Sequence, residues 1–180
     1  KECVNGSNAG GGAGDIIVED TSAGVGGIGG ILGYSQNHNY NKEIEVRDCT
    51  NYGSIAMHPG KLNRYVGGIV GRLYRTNGSV TLTLEMEGCK NYGAITNGEM
   101  AIGGIIGTTA TCTSFVVNSC TNYGTVAAVP KLDHNSGSIG GIAGSGSGVG
   151  GYAHCINKGT VTGNGTQYVA GLFGSLTCSY

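Results

Sequence analysis

Two short signatures alternate along the chain, and their repetition constrains the fold more than any other feature. The first, C-x-N-x-G-x-[IV], begins at Cys49, Cys89, Cys120 and Cys155, with a degenerate copy at Cys3. The second, [VI]-[GA]-G-[IL]-x-G, begins at residues 28, 66, 102, 139 and 169, so 30 to 38 residues separate successive copies. Five units of nearly constant length therefore fill almost the whole chain, which indicates a repeat architecture.

Each unit is predicted to contain three short strands. The segment before the cysteine alternates apolar and polar residues, most clearly at 43–47 and 81–87, as a half-buried strand does. The NYGxI segment and the GGIxG segment supply the other two, with polar loops at 58–65 and 130–138 between them. Such units bury their apolar residues only by stacking. The sequence therefore predicts an all-β parallel β-helix, or β-solenoid, of about five Gly-rich coils.

A propeller or sandwich of antiparallel hairpins is the alternative fold. It is disfavoured because two-residue hairpin turns do not recur at fixed places. Collagen is excluded, since the 37 glycines among 180 residues have no period of three and there are only 2 prolines. The net charge of -1 and the lack of a basic stripe argue against nucleic acid as a partner. No run of about 20 apolar residues is present, so we expect no membrane insertion.

In a stacked solenoid, equivalent residues lie about 4.8 Å apart and form ladders. The cysteines of the first signature are expected to form a column of buried thiols, namely Cys49, Cys89, Cys120 and Cys155. Their spacing does not suit a zinc site, and disulfides between adjacent coils remain an alternative. The asparagines are expected to bond the backbone and one another: Asn51, Asn91, Asn122 and Asn157.

Binding residues are expected on the outer surface. Tyr52, Tyr92 and Tyr123 should form an exposed row that either stabilises the stack or contacts a sugar or protein. The variable loops 34–43, 57–65 and 130–138 can change without disturbing the core, which makes Arg64 and Tyr65 further candidates for a binding surface. The Ser- and Gly-rich segment 144–151 is typical of a flexible connection between coils.

A pair of glutamates offers an enzymatic alternative. Glu45 and Glu85 each stand four residues before a signature cysteine, so they should be neighbours on the outer face of adjacent coils. Paired carboxylates there could act as acid and base on a polysaccharide or bind calcium. The alternative interpretation is a solvated charged face that Arg47 partly balances. No cofactor is predicted.

The Gly-Leu-Phe-Gly segment at 171–174, with GILG, GIVG, GIIG and GIAG at the equivalent places, resembles the GLUG repeat. The C-x-N-x-G-x-[IV] segment is also typical of the coils that carry this repeat. Such repeats are known from large bacterial surface and secreted proteins, including adhesin-like proteins and noncatalytic parts of immunoglobulin A-cleaving metallopeptidases. The HExxH zinc motif of those peptidases is absent from this sequence, so the resemblance does not imply their activity.

The resemblance implies a non-enzymatic extracellular module, acting as a rigid spacer or adhesion domain on a bacterial surface. Its expected partners are a host or cell-surface protein or glycan and further domains of the same polypeptide. We expect residues 1–180 to form a single β-solenoid domain and to be part of a longer chain, because the first and last coils look irregular.

Overall fold

The computed structural model describes residues 2–7, 14–18, 26–37, 39–58, 65–110, 112–129, 137–163 and 168–179. Every helix or strand assigned within those ranges is a β-strand, and they group into five successive coils. The described part of the chain contains no apolar helix of membrane-spanning length.

The strands follow one another in the same order in each coil. Coil 1 contains β1 (Val4–Asn5), β2 (Ile16–Val18), β3 (Ile28–Gly29) and β4 (Leu32–Asn37). Coil 2 contains β5 (Lys42–Arg47), β6 (Thr50–Asn51), β7 (Ile55–Met57), β8 (Tyr65–Gly67) and β9 (Val70–Arg75). Coil 3 contains β10 (Leu82–Glu87), β11 (Lys90–Asn91), β12 (Ile95–Gly98), β13 (Ala101–Gly103) and β14 (Ile106–Thr108).

Coils 4 and 5 share one long strand. Coil 4 contains β15 (Ser114–Asn118), β16 (Thr121–Asn122), β17 (Val126–Ala128), β18 (Ser138–Gly140) and the first part of β19 (Ala143–Ala153). Coil 5 contains the rest of β19, then β20 (Ile156–Asn157), β21 (Val161–Thr162), β22 (Tyr168–Ala170) and β23 (Phe173–Ser179).

All strand pairs are parallel and join equivalent segments of neighbouring coils. Three sheets have five strands each, in the orders β1-β6-β11-β16-β20, β2-β7-β12-β17-β21 and β3-β8-β13-β18-β22. The fourth sheet is wider, because β19 pairs with β14 and β23 through its first part and with β15 through its second. The predicted parallel β-helix of five coils is confirmed.

The coil is more finely divided than the three predicted strands. The NYGxI segment bends after its asparagine into two strands, and the GGIxG segment bends at its second glycine into two more. Gly68 marks the second bend, between β8 and β9. A complete coil therefore has five short strands, since each glycine corner interrupts a segment that alternation alone assigns to one strand.

The segment 144–151, expected to be a flexible connection, is instead part of strand β19. Gly148 and Gly150 in this strand have φ values of +122° and +131°, which residues with a β-carbon rarely adopt. Glycine here allows an unusual extended backbone that still pairs with β15.

Another regular corner lies immediately before each signature cysteine. Asp48, Gly88, Ser119 and His154 all have a left-handed backbone, with φ between 52° and 63°. This residue turns the chain from the long outer strand into the two-residue strand that follows the cysteine. Only one of the four is glycine, so three coils carry local strain at this corner.

Replacement of Ser119 by glycine is expected to stabilise the fold by about 0.5 to 1 kcal/mol, because glycine adopts the left-handed conformation without steric cost. Ser119 is exposed, so the change removes little packing. Thr125 is also exposed but is not among the residues of positive φ, so Thr125→Gly is expected to destabilise. Urea unfolding of both variants checks this, and a lower midpoint for Ser119→Gly would contradict it.

The apolar residues form two buried clusters inside the coils. The larger lies beneath the wide sheet and includes Leu73, Leu82, Leu84, Met86, Ile106 and Phe115. The smaller contains Ile55, Val66, Ile95, Ile102, Val126 and Ile139. Since apolar residues occupy equivalent positions in successive coils, the interior fills evenly along the axis.

Candidate functional site

The asparagine column is continuous through all five coils. Each side-chain amide donates one hydrogen bond to the Oδ1 of the asparagine in the next coil, at 2.8 Å in every step from Asn5 to Asn157. Its second hydrogen goes to a backbone carbonyl, as in the 2.9 Å bond from Asn91 Nδ2 to Gly93 O. Asn51, Asn91 and Asn122 have no exposed surface, so both amide hydrogens are used where water cannot reach them.

Glycines of both signatures fit closely around this column. A β-carbon on Gly93 would overlap the carbonyl oxygen of Gly53 in the preceding coil, and one on Gly104 would overlap the side chain of Asn122. The asparagine of the first signature and the second glycine of the second signature therefore occupy adjoining space. This contact explains why the two signatures recur together.

The cysteines form a second column, parallel to the first. Cys49, Cys89 and Cys120 are at most 2% exposed, whereas Cys155 is half-buried. Their thiols donate to backbone carbonyls, for example from Cys89 Sγ to Val46 O at 3.4 Å in the preceding coil. The cysteines at positions 3, 49, 89, 112, 120 and 155 are all present as thiols. Cys112 is buried elsewhere in the larger core cluster.

The column sets the acidity of its thiols by burial and by mutual hydrogen bonds. Burial raises the pKa of Cys49 to about 11 and that of Cys112 to about 12. The pKa of Cys155 is lowered to about 7, chiefly by a hydrogen bond from the Cys120 thiol, whose own pKa is raised. The acidic thiol thus lies at the coil 5 end of the column, where the cysteine is half-buried.

Cys155 is expected to react with iodoacetamide at pH 7 more than tenfold faster than Cys112, because the thiolate is the nucleophile. With a pKa of about 7, its rate should fall as the pH falls through 7 toward 5. Peptide mass spectrometry after timed labelling measures each site separately. Labelling in urea is the control, where the two rates should converge; equal rates in the folded chain would contradict the assignment.

Tyr52, Tyr92 and Tyr123 stack face to face on the outside of coils 2 to 4. Their ring centroids are 5.0 and 4.6 Å apart, with interplanar angles of 13° and 5°. The Lys158 ammonium lies 5.1 Å from the Tyr123 centroid and covers that end of the row. Between the rings the faces are already occupied, so the row presents mainly ring edges and hydroxyl groups to a partner.

Tyr65 belongs to a different cluster. The Arg72 guanidinium lies 4.2 Å from the Tyr65 ring centroid and 4.3 Å from that of Tyr74. Tyr34 stacks beside Tyr74 with a centroid distance of 6.4 Å. Arg64 and most of the loops 57–65 and 130–138 lie outside the described residues.

Glu45 and Glu85 are paired in register on the outer face of β5 and β10. Together with Glu43 they offer carboxylate oxygens within 4.8 Å of one another. Arg47 contacts both partners, at 3.6 Å to Glu45 and 2.6 Å to Glu85, and also Glu87 at 2.7 Å. Its pKa is raised, first by its hydrogen bond to Glu85 and by that carboxylate's charge. One guanidinium therefore holds three carboxylates together.

Replacement of Arg47 by glutamine is expected to lower the urea midpoint slightly at low salt, because three glutamates then repel one another. The difference should disappear near 1 M salt, where the screening length is about 3 Å. Lys90→Gln removes the same charge at an exposed position outside this cluster and is the control. A salt-independent loss in Arg47→Gln would show that packing, not charge, accounts for the effect.

Sequence reasoning missed two members of the columns. Cys3 and Asn5 join the cysteine and asparagine ladders, although their CVNGS copy looks degenerate. The signal was present in the spacing of Cys3 and Asn5, which matches the signature. The copy departs from the signature at its fifth and seventh positions, where Ser7 replaces glycine and Ala9 replaces isoleucine or valine, and Gly6 stands where coils 2 to 4 have tyrosine.

The chain was compared with protein-family models, with curated proteins and with solved structures, and nothing matches it.

Proposed function

We propose that this chain is a non-enzymatic repeat module of a bacterial surface or secreted protein, acting as a rigid spacer that carries an adhesion surface. The resemblance of its Gly-rich segments to the GLUG repeat supports this class. The partner would be a protein or glycan on a host or cell surface.

The contacts of the buried signature residues support a structural role for the chain. The signature asparagines and cysteines, which are the reactive or ligating residues that recur in every coil, serve the stack by bonding to neighbouring coils. Each coil is joined to the next by four parallel pairings or more, as between coils 2 and 3. A stack tied together in this way resists bending, and each added coil would lengthen it by about 4.8 Å.

The exposed tyrosine row is the observation on which the adhesion surface depends. Tyr92 is 41% exposed and Tyr123 is 38% exposed, so both side chains are accessible to a partner. The row repeats at the coil spacing and therefore offers hydroxyl groups at regular intervals along the axis. A partner would have to engage hydroxyls and ring edges, because the faces between the rings are covered.

The test is retention on arrays of glycans and extracellular matrix proteins. Tyr92→Phe combined with Tyr123→Phe preserves the stacked rings but removes the hydroxyls, and it should weaken binding at least tenfold. Tyr40→Phe is the matched control, since Tyr40 is 81% exposed and lies outside the row. The adhesion proposal fails if wild type binds nothing, or if both variants bind equally well.

A polysaccharide-cleaving enzyme is the second candidate, favoured by the in-register pairing of Glu45 and Glu85. The separation is of the order that retaining glycosidases use, about 5 Å between carboxyl groups. Against it, the Arg47 guanidinium contacts both carboxylates, in the space that a scissile bond would need. Turnover of any member of a polysaccharide panel, abolished in Glu45→Gln, would establish this function instead.

A further inference from the structure

The end of the cysteine column in coil 1 has features that its interior lacks. Cys3 is exposed, Cys49 is 2% exposed, and the two stand at the same repeat position of adjacent coils. The backbone holds this arrangement, because Thr50 N donates to Cys3 O at 2.8 Å. Both cysteines line an open cavity of about 420 Å³. Cys89 and Cys120 have no exposed surface.

The column restricts how many sulfurs can reach one metal ion. In a ladder, each thiol has one neighbour above and one below, so a point between two coils is shared by two sulfurs only. Among the described residues, the one set of three or more potential ligands that converges within 4.8 Å is Glu43, Glu45 and Glu85, which contains no cysteine. A tetrahedral zinc site, which needs four ligands, is therefore not available from these thiols.

The spacing suits a linear bridge instead. Metal–thiolate bonds are about 2.3 Å long, so an ion midway between two sulfurs spans about 4.6 Å. This is close to the spacing of about 4.8 Å between paired strands, which the Cys3 and Cys49 backbones share. Small side-chain rotations would bring the two sulfurs to either side of an ion.

The cavity supplies the access and the surroundings. Beside the two cysteines it is lined by one acidic residue, Glu45, and by four aliphatic ones, Ile31, Leu32, Ile44 and Val46. A mainly apolar wall disfavours strongly hydrated hard cations, and thiolates select soft ones.

We propose that Cys3 and Cys49 form a two-coordinate site for a soft closed-shell cation of the Cu(I), Ag(I) and Hg(II) class. Binding breaks two S–H bonds, forms two metal–sulfur bonds and releases both protons to solvent, with no electron transfer. The product with Hg(II) is neutral, and the product with Cu(I) or Ag(I) carries one negative charge. This site does not depend on the adhesion function.

The experiment adds one equivalent of Hg(II) to the reduced chain and counts sulfur ligands by X-ray absorption. Two sulfurs at about 2.3 Å are expected in wild type. Cys3→Ser changes an exposed residue, so its circular dichroism should match wild type, but it should show a single sulfur and at least 100-fold weaker binding in competition with a dithiol chelator. Cys112→Ser, outside the column, should bind as wild type does.

Three results would overturn the site. The first is a sulfur count of one, or of three or more, in wild type. The second is unchanged two-sulfur binding in Cys3→Ser, which would assign the ion to another pair. The third is equal loss in Cys3→Ser and Cys112→Ser, which would indicate nonspecific thiol capture.

Discussion

Replacement of Asn91 by alanine is expected to lower the free energy of unfolding by about 3 kcal/mol or more. The side chain makes three hydrogen bonds in the dry interior, to Gly93 O, to Asn122 Oδ1 and from Asn51 Nδ2. Alanine leaves all three partner atoms without their bond, and each unsatisfied buried group costs about 1 to 3 kcal/mol. Urea unfolding followed by circular dichroism measures the loss.

Asn157→Ala is the matched control, because it occupies the same repeat position in the last coil. Its side chain is half-buried; it donates to Gly159 O and accepts from Asn122 Nδ2 and from Gly159 N, with no described asparagine beyond it. Water can replace part of the hydrogen bonding that Asn157→Ala removes, so we expect the free energy of unfolding to fall by about 1 kcal/mol. Equal losses in the two variants would show that burial of the column adds nothing to the cost of the lost hydrogen bonds.

Asn91→Asp separates hydrogen bonding from volume. Aspartate has almost the same shape, but it places an acceptor where the amide donates to Gly93 O and Asn122 Oδ1. It should be at least as destabilising as alanine at neutral pH, because a buried carboxylate then faces two oxygens. A stability near that of wild type would mean that side-chain volume at this position, not the amide ladder, matters.

The architecture could be predicted because stacking places equivalent residues of successive coils directly above one another. The two signatures and the alternation before Cys49 and Cys89 are enough to deduce parallel coils, since no single coil can bury its own apolar residues. The columns at Asn51 and Cys49 follow from the same register. The spacing of the two signatures therefore predicts both the coils and the ladders.

The corners could not be predicted in the same way. The left-handed residue before each cysteine is Asp48, Gly88, Ser119 or His154, so no single residue type marks it. Tertiary pairing of the flanking strands imposes the conformation and overrides local preference. For the same reason, the glycines of segment 144–151 indicate flexibility in the sequence, although they continue a paired strand in the fold.

The sequence predicts where the tyrosine row and the glutamate pair lie, but it does not predict which of their groups are available to a partner. Register places Tyr52, Tyr92 and Tyr123 in one row, but the structure is needed to show that their ring faces stack on one another. Likewise, register makes Glu45 and Glu85 neighbours, whereas the rotamer of Arg47 decides that they are bridged. Side-chain orientation at an exposed position depends on neighbours that a linear pattern does not specify.

Replacement of Gly93 by alanine is expected to destabilise the fold by about 3 kcal/mol or more, through overlap rather than lost bonds. The added methyl would meet the carbonyl oxygen of Gly53, and that backbone is fixed by its own coil. Relief would require coils 2 and 3 to separate, which would lengthen the bond between Asn51 and Asn91.

Gly78→Ala is the control for the loss of a glycine, because a β-carbon there meets no atom within 4 Å and its φ is not positive. It should leave the urea midpoint unchanged or raise it slightly, by reducing the entropy of the unfolded chain. If Gly93→Ala unfolded at the same urea midpoint as Gly78→Ala, the space between the coils at Gly93 would accommodate a methyl group. The recurrence of glycine two residues after the asparagine in coils 2 to 5 would then need a cause other than close packing between coils.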